Sequence, residues 1–425
     1  MIYISYFPSI LIVFYSKLLH YFLIKRYIYT MKFTEVQMPD KNSTVVVGMS
    51  GGVDSTLTAV LLKEAGCRVI GVTMSVWDSK LPLPPSSDGI RSSCYSPDEA
   101  NDIEECRKFC KEHSIEYHVI PVHNDYQSFV LSYFKDEYRK GRTPNPCIQC
   151  NAHIKFGSLL SGIEKLGIKY DYFCTGHYAK LVRPEADIAF LYNDESVSSQ
   201  AASDNRPLLI TQAYDRAKDQ SYFLCRVPSS VWEKVRFPLS SFTKKQVFAM
   251  AKERNLHSAS RGESQDFVPQ EYFDIIFSDK SSIAGNIISD DGKRLGIHRG
   301  IEHYTIGQRR GLGVSSNKPL YVSAIYPESN EIVLSDDDGL FSSALEADNW
   351  VWAGGYEPEK PFTAMVKIRL ASPPFQARIM KSDTNEGSFI VKFEKPQRAV
   401  APGQSVVVYL HGVTAGGGII SRSIP

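Results

Sequence analysis

The sequence predicts an α/β protein of three parts: an N-terminal parallel-sheet domain, a small helical central domain and a C-terminal β-barrel region. Three observations carry this expectation. A β-branched run over 44–47 breaks into a glycine turn over 48–55 and continues with helical period over 56–65, the strand–turn–helix opening of a doubly wound sheet. Strand-like runs at 67–72, 117–122 and 172–175 then alternate with helix-like runs at 96–113 and 126–140, and such alternation favours parallel pairing. From about Gly285 onward short β-rich runs (320–325, 331–334, 363–368, 388–393 and 405–410) recur between Gly, Pro and Asp-Asp turns, as in one or two small barrels.

Taken in order, the first 30 residues are apolar and aromatic, yet Pro8, Lys17 and His20 interrupt them before a clean spanning length. They lack a small-residue cleavage site and the Arg- and Ser-rich amphipathic character of a presequence. Residues 1–40 are therefore read as a non-native or disordered leader, with the working start at Met31 or Met38; an unusual membrane or targeting segment is the alternative. Residues 41–215 hold the parallel sheet, with 194–206 a polar surface loop between two short strands. Residues 216–285 form the helical centre, typified by 243–254, where Val247, Phe248, Ala249 and Ala251 interleave with lysines. Residues 286–425 form the barrel region, as two small β subdomains.

With 43% hydrophobic and 22% charged residues in 425, the chain is neither disordered nor fibrous. Lys and Arg (48) nearly balance Asp and Glu (47) for a net charge of +1, so a nucleic-acid partner must be held by local patches rather than a bulk field. Eight scattered cysteines include the pair Cys147-Ile-Gln-Cys150. That usage suits redox, persulfide or metal chemistry in a reducing compartment better than a secreted disulfide framework.

The loop Gly48-Met49-Ser50-Gly51-Gly52-Val53-Asp54-Ser55 follows a strand and opens a helix, which aims backbone amides and a helix N-terminus at an anion. Its glycines allow close approach, Ser50 and Ser55 donate hydrogen bonds, and Asp54 is placed to serve a Mg²⁺ ion riding on phosphates. A Walker loop is excluded because Gly-Lys-Ser/Thr is missing. The string resembles the SGGxDS loop of the ATP pyrophosphatases (the PP-loop group), which adenylate a substrate oxygen and release pyrophosphate. The motif is silent on the acceptor.

A second motif narrows it. In Gly141-Arg-Thr-Pro-Asn-Pro-Cys-Ile-Gln-Cys-Asn151 two prolines stiffen the backbone around Asn145, and such a loop can hold a thiol and an amide beside a flipped base. Arg142 and Lys155 can lower a thiol pKa or contact phosphate. A structural Zn²⁺ site is the alternative, but a lone CxxC lacks a second ligand pair. With these motifs, together with IKFG, TGHYA (175–179), KDQSYFL (218–224), YTIGQRRGLG (304–313), PGQS and GGGII, all in order over 43–425, the chain resembles the tRNA-uridine 2-sulfurtransferases, which thiolate the wobble uridine of tRNA.

That resemblance implies ATP and Mg²⁺ as cofactors. It implies tRNA of the Lys, Glu and Gln type as substrate, a sulfur-relay protein or cysteine desulfurase as donor, and no stable membrane association. The expected location is the bacterial cytoplasm, with the mitochondrial matrix as alternative. Residues 48–55, Met74 and Gly176 are expected at the ATP site, and Cys150 takes the nucleophile's position. Asn145, Pro146 and Cys147 are expected against the target base, His177, Lys218, Asp219 and Gln220 near the tRNA, with Arg369 and Gln404 as contacts from the barrel side. His177 as a satisfied turn histidine and Arg369 as a solvated strand charge are the plainer readings. The Gln308-Arg309-Arg310 run is a further phosphate contact or an ordinary solvated run.

The chain departs from that family's familiar pattern in two places. Cys147 stands where an aspartate is usual, and the stretch Arg261-Gly-Glu-Ser-Gln-Asp-Phe-Val268 lacks the downstream cysteine of Ser-x-Gly-Ile-Cys-Phe. Two alternatives follow. Either Cys147 and Cys150 divide the work, one holding the terminal sulfur and the other forming the disulfide that releases it, or Cys147 and Cys150 join Cys94 or Cys174 in an iron–sulfur cluster whose open iron binds sulfide.

Overall fold

The computed structural model describes residues 31–85, 93–192, 206–260 and 267–425. The leader over 1–30, the loop at 193–205 and most of the 261–268 stretch lie outside the described residues. The ordered chain corrects the disordered part of the leader expectation over 31–40. There Met31 is buried in the barrel core, and β1 (Phe33–Glu35) pairs antiparallel with β6 (Ala179–Pro184). A short strand supplying backbone partners and one core side chain is part of the fold, whatever its leader-like composition.

β2 (Thr44–Gly48), β3 (Arg68–Ser75), β4 (Glu116–Pro121), β5 (Tyr172–Cys174) and β8 (Val235–Arg236) form an all-parallel sheet in the order β4-β3-β2-β5-β8. Alternate residues of β2 serve opposite cores: Val46 packs with Ile70, Val72 and Phe173, while Val45 and Val47 pack with Cys67, Cys106, Cys110 and Cys174. Burial on both faces is why its sequence is an unbroken β-branched run. Helices α1 (Val53–Glu64) and α2 (Glu99–Glu112) cross between these strands. The predicted 126–140 helix is interrupted by a π-helical stretch, Gln127–Ser132, before α3 (Tyr133–Arg139). A second run begins with α4 (Pro146–Gln149), passes through the π-helical Cys150–Ser158 and ends as α5 (Leu159–Lys165).

Over 216–285 the described residues form one sizeable helix, α6 (Lys244–Glu253), closed by a Thr243–Gln246 capping box, together with short 3₁₀ turns and β8. β9 (Gly285–Ser289), β10 (Arg294–His298), β11 (Tyr321–Tyr326) and β12 (Glu331–Ser335) make a four-stranded sheet. The last unit is closed. β13 (Phe341–Trp352), β14 (Phe362–Lys367), β15 (Phe375–Lys381), β16 (Phe389–Arg398), β17 (Ser405–Leu410) and β18 (Val413–Ile424) run β18-β13-β16-β15-β14-β17, and β17 pairs back onto β18. On β14, Phe362, Ala364 and Val366 point into the barrel while Thr363 and Met365 face out, the two-residue period of a half-buried strand.

Two junctions were invisible in the sequence. β7 (Leu209–Gln212) pairs with β6 and touches barrel strand β18 through Val413 and Thr211, so the first domain and the barrel share one sheet. β17 is buried along its whole length: Val406 and Val408 face the barrel core, whereas Val407 and Tyr409 pack with Ile148, Tyr222 and Cys225.

Candidate active site

Residues 48–55, Met74 and Gly176 converge at the C-terminal edge of the parallel strands. Gly48 ends β2, Met74 lies near the end of β3, and Gly176 follows β5 by two residues. From β2 the sheet grows toward β3 on one side and β5 on the other, so the crevice opens where strand order reverses, the usual ligand position of an open α/β sheet. Gly51 takes φ +76, and the N-cap of α1 is Gly52, which has no side chain to cap the first-turn amides. Ser55 Oγ accepts from the Ser50 amide at 3.2 Å and donates to Gly52 O at 3.1 Å, which tightens the loop around those amides. A Cβ at Gly176 would lie 2.8 Å from Asp54 Cβ, so only glycine lets this turn close on the helix.

Asp54 is differently engaged from expectation. Its Oδ1 accepts from Lys244 Nζ at 2.8 Å and from Tyr178 OH at 2.8 Å, and its Oδ2 accepts from Lys244 Nζ at 2.7 Å. A carboxylate with these donors is not presented as an open Mg²⁺ ligand. Lys244 is the first residue of α6, and α1 packs Val53, Leu57 and Val60 against Val247 and Ala251 of that helix. Sequence reasoning missed Lys244 and Tyr178, since neither stands beside the loop in the chain.

The cysteine loop lies at a three-way junction. Asn145 caps α4 by accepting from the Ile148 amide at 3.3 Å, with Pro146 in the first turn. Ile148, between the two cysteines, is 1% exposed and anchors the helix on β17. From the barrel, Gln404 Nε2 donates to Thr143 O and Pro144 O, each at 3.1 Å, and Thr143 N donates to Pro402 O at 2.7 Å. Gly403 has φ +89, and a Cβ there would meet the Thr143 backbone at 2.9 Å. Arg142 ion-pairs with Glu137 at 2.7 Å and donates to Ile420 O at 3.2 Å, so it secures the loop.

Cys150 opens a π-helical stretch, a distortion frequent at functional sites. Burial pushes its thiol up to about 12, against the opposing pull of Lys155. Lys155 also acts on His177, whose pKa is driven well below its usual value by burial first and by that cation second. His177 sits between Phe156 and Phe237, and its Nδ1 lies 2.7 Å from Thr175 Oγ1. It is a neutral, hydrogen-bonded ring on the wall between the nucleotide crevice and the cysteine helix.

The remaining expected residues divide. Asp219 accepts from the Ala213 amide at 2.9 Å and from Ser221 Oγ at 2.7 Å, and Gln220 Oε1 accepts from the Tyr178 amide at 2.9 Å; both brace the site. Lys218 is half-buried beside them. Arg369 is no solvated charge: burial lowers its pKa, and its Nη2 donates to Ile306 O at 2.9 Å and Ala399 O at 3.0 Å, joining the four-stranded unit to the barrel. Arg309 and Arg310 are exposed. Of the two cysteines considered as third cluster ligands, Cys174 is buried with Cys67, Cys106 and Cys110 in a separate core, which removes it from the site. Among the described residues no group of three or more His, Cys, Asp or Glu is arranged to hold a metal ion. No described helix is long and apolar enough to cross a membrane.

An anion-cradling loop at the switch point of a parallel sheet, in one fold with a paired-cysteine loop clamped by a barrel, defines a nucleotide-activating, thiol-bearing enzyme of the ATP-pyrophosphatase class. The comparisons are more specific. Residues 43–269 match the family model described as tRNA methyl transferase HUP domain, 276–336 that of its PRC-barrel domain, and 342–420 that of the aminomethyltransferase beta-barrel domain. The chain is 39% identical over 378 residues to tRNA-specific 2-thiouridylase MnmA of Endomicrobium trichonymphae, covering 88% of this chain and 98% of the relative. With the same-named proteins of Roseiflexus sp. and Acetivibrio thermocellus it shares 37% over 385 residues and 38% over 384, covering 89% and 99%, and 88% and 98%, of the respective pairs. The chain belongs to the MnmA family of tRNA-specific 2-thiouridylases.

Proposed function

We propose that this protein uses ATP to adenylate O2 of the wobble uridine in tRNA and then delivers sulfur from its CxxC pair, releasing 2-thiouridine, AMP and pyrophosphate. The observation that carries the reading is the clamping of the Cys147–Cys150 helix between the nucleotide-binding domain and the barrel's Pro402-Gly403-Gln404 turn. ATP occupies the crevice at 48–55, Met74 and Gly176, with Mg²⁺ arriving on its phosphates. tRNA lies across the barrel side, where Arg309 and Arg310 are exposed, and an external sulfur donor charges the thiols. Adenylation converts a poor oxide leaving group into a phosphate ester.

The sulfur steps balance without a metal. The terminal sulfur of a Cys150 persulfide attacks C2 and AMP departs with the bonding pair; Cys147 thiolate then attacks Cys150 Sγ, forming the 147–150 disulfide and releasing the thiouridine. An external dithiol reduces that disulfide for the next cycle. We favour this over the iron–sulfur alternative because Cys147, Cys150 and Cys94 are not placed as a ligand set.

The test is mass spectrometry of tRNA nucleosides after incubation with the purified protein, ATP, Mg²⁺ and a persulfide donor. Wild type is expected to form 2-thiouridine, Cys150→Ser none, and Cys147→Ser at most one turnover trapped as a mixed disulfide. Unmodified uridine with wild type, in the presence of pyrophosphate release, would refute the reading.

A further inference from the structure

Five of the eight cysteines (Cys67, Cys106, Cys110, Cys174 and Cys225) are buried; the three with accessible surface are Cys94, Cys147 and Cys150. These same three converge, although Cys94 lies more than fifty positions before the CxxC pair. The convergence is built on aromatic rings. Tyr95, next to Cys94, stacks on Tyr126 with centroids 5.6 Å apart at 12° and meets Trp77 edge-on at 4.7 Å. Its hydroxyl donates to Asp78 at 3.1 Å, which fixes the ring. Cys150 packs against the same hydrophobic core that contains Tyr95 and Tyr126. The three thiols are close enough to bear electrostatically on one another: Cys94 and Cys147 both oppose ionisation of Cys150, and all three oppose that of Tyr126. They are graded in exposure, with Cys94 exposed and the other two half-buried.

Resting on the thiolation reading above, we propose that Cys94 is the sulfur-accepting thiol of this enzyme, taking a persulfide from a donor protein at the surface and handing its outer sulfur to Cys150. A half-buried thiol is a poorer docking point for a macromolecular donor than the exposed one near it. In the first step Cys94 thiolate attacks the outer sulfur of the donor's persulfide, an S–S bond forms, and the donor's cysteine leaves as thiolate. In the second, Cys150 attacks the outer sulfur on Cys94, and the Cys94 thiolate leaves. Neither step is a net oxidation. The persulfide lengthens the Cys94 side chain by one S–S bond, about 2 Å.

The experiment charges the full-length protein with a rhodanese-type sulfurtransferase preloaded from thiosulfate, without tRNA, and maps persulfides by alkylation and peptide mass spectrometry. In wild type the label is expected on Cys94 and Cys150. In Cys150→Ser it accumulates on Cys94, and in Cys94→Ser loading of Cys150 falls at least tenfold while tRNA-dependent pyrophosphate release shows the variant is folded. Loading of Cys150 at the wild-type rate in Cys94→Ser overturns the relay. So does bound iron that each of the three cysteine variants loses, because the thiols would then be ligands. The mapping is read on the protein alone, so its failure is distinct from failure of the thiolation reading, which is judged on the tRNA product.

Discussion

Substituting Gly403 by alanine tests whether the barrel turn sets the position of the cysteine loop. Two costs are expected. The backbone at φ +89 is unfavourable for an L-residue by about 1–2 kcal/mol. The new methyl would also stand 2.9 Å from Thr143 N and O, inside ordinary van der Waals separation by about 0.5 Å, and overpacking against backbone adds about 1–3 kcal/mol. The clash can be relieved by moving residues 142–144, three to five positions before Cys147. Since displacement by about 1 Å can cost 100-fold in rate, a shift of half that size is expected to slow thiolation by roughly tenfold. Gly412 is the matched control: its φ is +84, yet the nearest atom to a Cβ there is Thr211 Oγ1 at 4.0 Å. Single-turnover thiolation and thermal melting should be measured on both variants. Both are expected to melt a few degrees lower, with only Gly403→Ala slowed in sulfur transfer. Equal slowing in the two, or a normal rate in Gly403→Ala, would refute the claim that the turn positions the thiols.

Replacing Lys244 by methionine removes the cation from a pair whose side chains are 10% and 31% exposed, between the surface and fully buried regimes; about 1–3 kcal/mol is expected, read as a roughly tenfold rise in the ATP concentration giving half-maximal pyrophosphate release. Ile148→Ala empties a site 1% exposed and should destabilise by about 2–5 kcal/mol, with the disulfide-forming competence of Cys147 and Cys150, followed by thiol titration, altered more than ATP binding. The lowered pKa of His177 means that the folded state binds its proton less readily than the unfolded chain. Its contribution is therefore present above the ordinary histidine value of about 6.5 and lost as pH falls below it; His177→Gln should flatten the fall in melting temperature on acidification below pH 6.5.

The sheet and barrel were legible because each rests on local period: β2 is buried on both faces and reads as an apolar run, and β14 alternates. β8 escaped because two residues, Val235–Arg236, cannot display a period. β1 escaped because apolar neighbours disguised it as leader, and the β7–β18 junction because a single pair, Thr211 and Val413, leaves no local mark. At the site, residue types were readable and their partners were not. Lys244 reaches Asp54 across 190 positions, and Gln404 reaches Thr143 across 261. Contacts at such separations are fixed by topology, so Asp54 read in isolation looked like a metal ligand, and Arg369, read as a tRNA contact or a solvated charge, did not show the carbonyls it binds.

The pKa of Cys150, raised to about 12 by burial, at first opposes a nucleophilic role, because a thiol protonated at neutral pH is a weak attacker. The order of chemistry removes the conflict. Desolvation acts on Sγ, the atom of a side chain packed against the hydrophobic core. Once charged, the attacking atom is the outer sulfur, about 2 Å further along the side chain, while Sγ becomes the electrophile that Cys147 attacks. Burial thus keeps the resting Cys150 thiol protonated, which slows its oxidation and leaves its one attack for the persulfide held beside it on Cys94. The attack on C2 then passes to the sulfur that arrives from outside, and Sγ is left to accept the bond from Cys147.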